Sequence, residues 1–168
     1  MRVTEAINGR RSIRAFNADA LPEGALDELK EAVRWAPSAM NAESRRFYFV
    51  TNKGKIEELC AVTRRGFKPE MPLIVIGCTH ADGLARFGEK AERFSLMDVS
   101  ASVENLLLAA HALGLGSVWC GAFDAEGVRK ALAIPKEFEP VVLVPVGVPA
   151  EKPEGKRKPA SETVVEVG

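Results

Sequence analysis

Apolar and polar residues along this chain follow periods that predict helices in some segments and strands in others. From Leu21 to Ala36 the apolar residues recur at helical spacing. Pro37 ends this predicted helix, because the residue before a proline is pushed out of the α region. Three shorter helices are predicted at Val3–Asn8, Lys55–Val62 and Ala125–Leu132.

Short apolar runs predict four strands, at Phe47–Val50, Leu73–Cys78, Ser117–Cys120 and Val141–Val148. The second run is apolar on both faces, which is typical of a strand in the middle of a sheet. A further short strand is predicted at Thr163–Val167, after a connector rich in Lys, Pro and Glu at Glu151–Pro159.

The strongest helix signal covers Asp98–Leu113. Its residues 106–110 are apolar on every face, so the helix must be covered on all sides, and one of the covers could be a partner subunit. The preceding stretch, His80–Met97, has no regular pattern, and either a surface helix or a mobile lid would fit it.

Helices and about four strands are interspersed, but the spacing between strands does not repeat as a uniform strand–helix unit. This favours an α+β fold, with a mixed or antiparallel central sheet flanked by helices, over a doubly wound parallel sheet. At this length we expect one domain over residues 1–168, with 151–168 as an extended C-terminal tail.

Composition removes several classes of function. The 23 Lys and Arg residues balance 23 Asp and Glu residues, so no basic excess favours nucleic-acid binding. The apolar runs are far shorter than the ~18 residues of a membrane span, and the N-terminus lacks the apolar core of a signal peptide. Three widely spaced cysteines indicate free thiols in a reducing compartment. We therefore expect a cytoplasmic protein that binds neither membranes nor nucleic acid.

Metal and hydrolase motifs are weak. Cys78, His80 and Asp82 alternate, but Gly83 follows at once and favours a turn, so we expect no metal site. The chain has no Gly-x-Ser-x-Gly elbow. The glycine pair at 114 and 116 follows a helix instead of a strand, which is the wrong context for a dinucleotide-binding loop.

The run Arg10–Arg14 is a dense cluster of donors in the turn between the first two helices. Guanidinium groups bind phosphate oxygens through two parallel hydrogen bonds, and Ser12 adds a hydroxyl donor. A solvated basic turn that pairs with Asp19 or Glu23 is the alternative interpretation.

Three other segments could contribute to a ligand site. Ala36–Asn41 leaves a helix through small and polar residues that would let a flat ligand approach, although an ordinary turn has the same pattern. Gly114–Phe123 combines a short strand with flexible ends and candidate donor amides at Cys120–Ala122. Lys156–Lys158 is a basic patch, which is also typical of a solvated connector.

In this order and spacing, the four segments resemble the FMN-dependent nitroreductase family. The resemblance covers nearly the whole chain, from Arg10–Phe16 to Lys156–Pro159. It implies noncovalently bound FMN and a homodimer with two flavin sites at the subunit interface. It also implies reduction of nitroaromatic, quinone or similar planar acceptors by NAD(P)H, in a ping-pong cycle of hydride transfer through flavin N5. Such a cycle needs no acid or base from the protein.

The resemblance also assigns a set of residues to flavin binding. Those expected at the phosphate and the ring are Arg10, Arg11, Ser12 and Arg14, with Arg11 contributing mainly backbone. Those expected to reach the flavin of the other subunit are Pro37, Ser38 and Asn41. The backbone of three residues is expected beside the flavin ring, namely Cys120, Gly121 and Ala122. Those expected to return to the phosphate are Lys156 and Arg157.

Two features depart from the family pattern. Glu43-Ser44-Arg45 stands where the family usually has Gln-Pro-Trp, which removes an aromatic residue and adds charge. The chain is also short between Val62 and Pro72, where only Lys68 could stand in for further ring contacts. Reductive dehalogenation or oxygen-dependent flavin chemistry on the same fold stays open, as does a non-catalytic module that binds flavin or phosphate.

Overall fold

The computed structural model describes residues 1–64 and 66–168. The helices in these ranges are α1 (Val3–Gly9), α2 (Ala25–Arg34), α3 (Lys53–Ala61), α4 (Ala91–Ala112) and α5 (Ala125–Leu132). The strands are β1 (Arg45–Val50), β2 (Leu73–Thr79), β3 (Gly116–Ser117) and β4 (Glu139–Gly147). They form one sheet in the order β1-β2-β4-β3, and every neighbouring pair is antiparallel. The predicted α+β class with a central antiparallel sheet is confirmed.

β2 lies inside the sheet, as its apolar sequence predicts. It pairs with β1 on one side and with β4 on the other, where Leu73 lies opposite Val146. All of its residues except Thr79 are buried. A strand of this kind reads as a continuous apolar run because helices cover both of its faces.

The two faces of the sheet carry different helices. α2 and α4 pack on the face that includes Leu73 and Val75. α3 and α5 pack on the opposite face, against Ile74 and Ile76. Side chains next to each other along β2 therefore enter different halves of the core, as the two-residue period of a strand requires.

α4 begins seven residues earlier than the pattern predicts, at Ala91 instead of Asp98. A 3-10 segment, Ala81–Lys90, precedes it, so the irregular stretch is helical over most of its length. The 3-10 segment is itself interrupted by non-helical backbone at Leu84 and at Gly88, which has a φ of 55°. Neither α4 nor any other helix in the described ranges is long and apolar enough to cross a membrane.

The predicted strand at Thr163–Val167 is wrong. A 3-10 turn at Ala160–Glu162 precedes these residues, which are exposed and belong to none of the strands. A strand requires a hydrogen-bonding neighbour, and beyond β3 that place is taken by the N-terminal segment, where Ile13 donates to the Ser117 carbonyl at 3.0 Å. From residue 151 onward no residue is buried, and the division into a domain and an extended tail stays a prediction.

Candidate active site

The arginine run lies against the edge of the sheet. Ser12 forms a parallel bridge with Ser117, the last residue of β3, next to the Ile13 hydrogen bond. The Ile13 side chain covers Gly116 so closely that a Cβ at residue 116 would lie 2.8 Å from three of its atoms. Glycine at this position therefore permits the close approach that fixes the run on the sheet.

Arg10 has a largely buried guanidinium group with an unsatisfied donor. Its side chain is 19% exposed, and its Nε lies 3.6 Å from Oε1 of Glu104 on α4, too far for a hydrogen bond. The same Nε is buried without a hydrogen-bond partner. A ligand oxygen would satisfy this donor. Arg10 pairs with Glu104, whereas the alternative interpretation expects the run to pair with Asp19 or Glu23.

The other two arginines have different environments. Arg11 donates from Nη1 to the carbonyls of Asn8 and Arg10, at 2.7 and 2.8 Å, so its guanidinium holds the end of α1. Arg14 is exposed and makes one long bond, 3.3 Å, to the carbonyl of Ser12. Arg14 is therefore the more available of the two for a ligand.

The start of the C-terminal tail is fixed beside the arginine run. The backbone amides of Arg14 and Ala15 both donate to Oε1 of Glu151, the second at 3.1 Å. Gly155 packs so tightly on Arg11 that a Cβ would collide with its guanidinium. Lys156 and Arg157, which follow directly, are exposed. The tail thus passes the arginines just before its own basic residues, although a shared phosphate stays a prediction.

Two clefts border the run. Cleft A has a volume of about 730 Å³, and its lining includes Arg10, Arg11, His111, Gly114–Ser117 and Glu151–Gly155. Cleft B has a volume of about 630 Å³ and is lined by Arg14–Phe16, Gly66–Lys68, Glu70 and Ala150. Lys68 therefore lies on the same cleft as Arg14, and the two cations can act on one ligand.

β3 is shorter than the strand predicted at Ser117–Cys120, and part of the backbone that follows it is hydrogen-bonded within the protein. The amide of Cys120 donates to the Leu143 carbonyl at 2.9 Å, and Leu143 returns the bond at the same distance. The Cys120 amide is therefore not available to a ligand, contrary to the sequence prediction. Gly121 and Ala122 are exposed, and a place for them beside a flavin ring stays a prediction.

The segment containing Pro37, Ser38 and Asn41 lies elsewhere on the subunit. The Ala39 amide donates to Oδ1 of Asp98 at 2.8 Å, which attaches the segment to α4. None of the three predicted residues lines cleft A or cleft B. Within one subunit the structure brings the arginine run, Gly114–Ser117 and the start of the tail together and leaves this segment apart. Of the other predicted residues, neither cleft is lined by Ser12, Cys120, Gly121, Ala122, Lys156 or Arg157.

The three cysteines, Cys60, Cys78 and Cys120, are free, as the sequence predicts, and all three are buried. Burial raises the pKa of the Cys60 thiol to about 11 and that of the Cys78 thiol to about 12. These two thiols are therefore protonated at neutral pH, and a protonated thiol is a poor nucleophile.

Sequence reasoning missed three carboxylates at these segments. Glu104 and Glu151 give no local signal, because each acts on a residue that is distant in the chain. Asp98 could have been found, since it is a carboxylate on the apolar face of a predicted helix. It is 4% exposed, and its Oδ2 has no hydrogen-bond partner.

Several known proteins are similar to this chain in sequence. The model of the nitroreductase family matches residues 7–72 and 63–148. A protein from Methanothermobacter thermautotrophicus, provisionally named NADH dehydrogenase/NAD(P)H nitroreductase, is 35% identical over 158 residues, which cover 91% of this chain and 80% of that protein. An iodotyrosine deiodinase from Thermotoga neapolitana is 30% identical over 184 residues, with coverages of 93% and 92%.

A crystal structure from Desulfovibrio desulfuricans, provisionally described as a nitroreductase in complex with FMN, has the same fold. Its TM-score is 0.87 at 29% identity, and the match covers 100% of this chain and 98% of that one. The fold and the site define an α+β protein with a cluster of guanidinium and hydroxyl donors at the edge of its sheet. This chain belongs to the nitroreductase family.

Proposed function

We propose that this protein is an FMN-dependent oxidoreductase that uses NAD(P)H to reduce nitroaromatic, quinone or similar planar acceptors. The proposal rests on one observation. The arginine run and the start of the tail meet at β3, on the edge of the sheet, and Nε of Arg10 is buried there without an acceptor. The names of the relatives and the FMN in the Desulfovibrio structure support it.

The donor set fits the chemistry of FMN. A phosphate dianion requires cations and hydroxyl donors, which Arg10 and Ser12 offer, and Lys156 and Arg157 would add charge from the tail. The flavin ring requires donors at its pyrimidine edge, and Arg14 and Lys68 line one cleft that would supply them.

In the mechanism, the chemistry supplied by bound FMN is two-electron transfer from NAD(P)H to the acceptor in two half-reactions. The protein binds, orients and stabilises charge. Arg14 and Lys68 would stabilise negative charge at the pyrimidine edge, since opposite charges attract strongly in a partly desolvated cleft. The protonated Cys60 and Cys78 thiols take no part.

The assembly we propose is a homodimer of single-domain subunits, 1–168, in the cytoplasm. A groove of about 460 Å³ lies between α1, α2 and α4, and its lining includes Val3, Trp35 and Leu108. Trp35 is 72% exposed, which is unusual for so large an apolar side chain. A second subunit on this face would cover it and would bring Pro37–Asn41 towards the flavin of its neighbour.

The visible absorption spectrum tests the cofactor and the reaction together. We expect purified protein, alone or reconstituted with FMN, to show an oxidised-flavin spectrum that NADH or NADPH bleaches under anaerobic conditions. A subsequent nitroaromatic or quinone should restore the spectrum. Protein that cannot be loaded with FMN would reject the proposal, and bound FMN that NAD(P)H leaves oxidised would favour a non-catalytic binding module.

Reductive dehalogenation is a second candidate, because the Thermotoga deiodinase matches nearly the whole chain. Steady-state rates with matched panels of nitroaromatics, quinones and halophenols separate the two reactions. Halide release from halophenols, at rates above those for the other acceptors, would establish the second candidate in place of the first.

A further inference from the structure

The segment between α2 and β1 has a strained backbone. Met40, Asn41 and Glu43 have positive φ angles of 53°, 52° and 50°. Residues other than glycine seldom adopt this region, and such conformations persist only where the surroundings hold them in place. The contacts that hold Ala36–Ser44 therefore decide the shape that it presents.

Arg45, the first residue of β1, holds the start of this segment. Its Nη2 donates to the carbonyls of Ala36 and Arg34, at 2.8 and 3.4 Å. Arg45 is itself fixed by the sheet, since it lies opposite Thr79 of β2. The guanidinium thus ties the carbonyl groups that follow α2 to a rigid strand.

The rest of the segment is held from other directions. The Ala39 amide binds Asp98 of α4, and the Glu43 amide donates to the Ser38 hydroxyl at 3.1 Å. The Asp98 contact fixes the middle of the segment, and Arg45 fixes its start. Loss of the Arg45 contacts would therefore release one end while Asp98 keeps the segment attached.

We propose that Arg45 is a positioning residue that fixes Pro37–Asn41 in the shape required to contact the FMN of the partner subunit. The proposal rests on the proposed function, since FMN is the ligand that the segment would meet. Arg45 acts on the geometry of the segment through its backbone carbonyl groups. Its Nη1 is buried without a hydrogen-bond partner, so the test must separate this geometric effect from a direct effect of charge.

Arg129 offers a matched control. Its guanidinium also binds carbonyl groups that follow a helix, those of Pro135 and Phe138 at 2.9 and 2.8 Å. It lies beside α5, on the opposite face of the sheet from α2 and α4. Arg129 also pairs with Glu126 and Glu139, so Arg129→Met removes a carbonyl brace and two ion pairs and is the more severe change, at a distance from the clefts.

The experiment measures the dissociation constant of FMN by quenching of flavin fluorescence, with Tm of the apoprotein recorded in parallel. We expect Arg45→Met to weaken FMN binding roughly tenfold and to change the visible circular dichroism of bound flavin. Arg129→Met should lower Tm and leave FMN affinity and the dichroism unchanged. Equal FMN affinities for the two variants would overturn the proposal.

Salt and a conservative variant separate positioning from charge. The loss in Arg45→Met should persist between low salt and about 0.5 M salt, because a geometric effect is not screened. Arg45→Lys should recover part of the affinity, and it carries the test if Arg45→Met does not fold. A loss that disappears at high salt would overturn the positioning role. A wild-type protein without FMN binding would reject the proposed function, and this inference with it.

Discussion

At the scale of the residue, Arg10 shows how a buried charge can mark a binding site. An unsatisfied buried donor costs about 1–3 kcal/mol, and more when the group is charged. Glu104 offsets part of this cost through charge, but at 3.6 Å its carboxylate does not accept the Nε hydrogen. A phosphate oxygen at this place would supply the missing acceptor, so ligand binding would also remove the free-energy cost of the unsatisfied donor.

The arginine run gives a prediction at this scale. Arg10→Ala and Arg14→Ala should each weaken FMN binding about tenfold or more, equivalent to about 1.4 kcal/mol, because each removes a cation next to an anionic cofactor. Fluorescence titration of the apoprotein measures this loss. Lys53→Ala, on the exposed first residue of α3, is the control. Equal FMN affinities in the three variants would support the alternative interpretation, in which the run is a solvated basic turn.

At the scale of the element, α4 supports both halves of the proposed site. Asp98 holds the segment before β1, and Glu104, six residues further on, faces Arg10. Six residues of helix span about 9 Å, so one rigid element sets the spacing between these two groups. The helix thereby connects the cluster that would bind the flavin of its own subunit to the segment that would reach the flavin of the neighbour.

The contact of the arginine run with β3 gives the second prediction. Gly116→Ala should destabilise the protein by roughly 1–3 kcal/mol and also weaken FMN binding, because the new methyl group would displace Ile13 and the arginines on either side of it. Urea unfolding and fluorescence titration measure the two effects.

Leu59→Ala is the control for this prediction. Leu59 of α3 is fully buried on the face of the sheet opposite α4 and lines neither cleft, so its truncation leaves a cavity away from the proposed site. It should therefore destabilise the fold at least as much while FMN affinity stays near that of the wild type. If Gly116→Ala changes stability alone, the contact with Ile13 does not govern the site.

At the scale of the whole molecule, three of the exposed large apolar residues, Met1, Val3 and Trp35, line one groove. The groove between α1, α2 and α4 contains Trp35 and the half-buried Leu108, whereas α3 and α5 cover the other face of the sheet. A subunit that buried this groove against its copy would remove apolar area worth roughly 25 cal/mol per Å² from water. The proposed homodimer explains why this face of the subunit is apolar.

Disruption of that face is the third prediction. Leu108→Glu should convert the dimer into a monomer and weaken FMN binding, because the charge cannot be buried and the partner segment is lost. Light scattering after size-exclusion chromatography measures the mass. Ala61→Glu places the same charge on an exposed position of α3 and should leave the mass of a dimer. A wild-type protein with the mass of one chain would contradict the assembly.

The sequence by itself determined the helices and strands that have strong local patterns. α5 has the predicted bounds, and β2 has the predicted interior place, because an all-apolar run must be covered on both faces. The four candidate ligand segments were also visible, since arginine clusters and small-residue turns are local features. The strand predicted near the C-terminus was wrong because strand formation depends on a neighbour, which no local pattern contains.

Only the tertiary structure decided which groups act on one another. Glu151 accepts hydrogen bonds from the amides of Arg14 and Ala15, which lie 137 and 136 residues away in the chain. The Cys120 amide donates to the carbonyl of Leu143 and is therefore unavailable to a ligand. Such pairings depend on how β3, β4 and the tail meet. The hydrophobic pattern fixes which faces are buried but leaves open which polar groups meet at the edge of the sheet, and the proposed site lies at that edge.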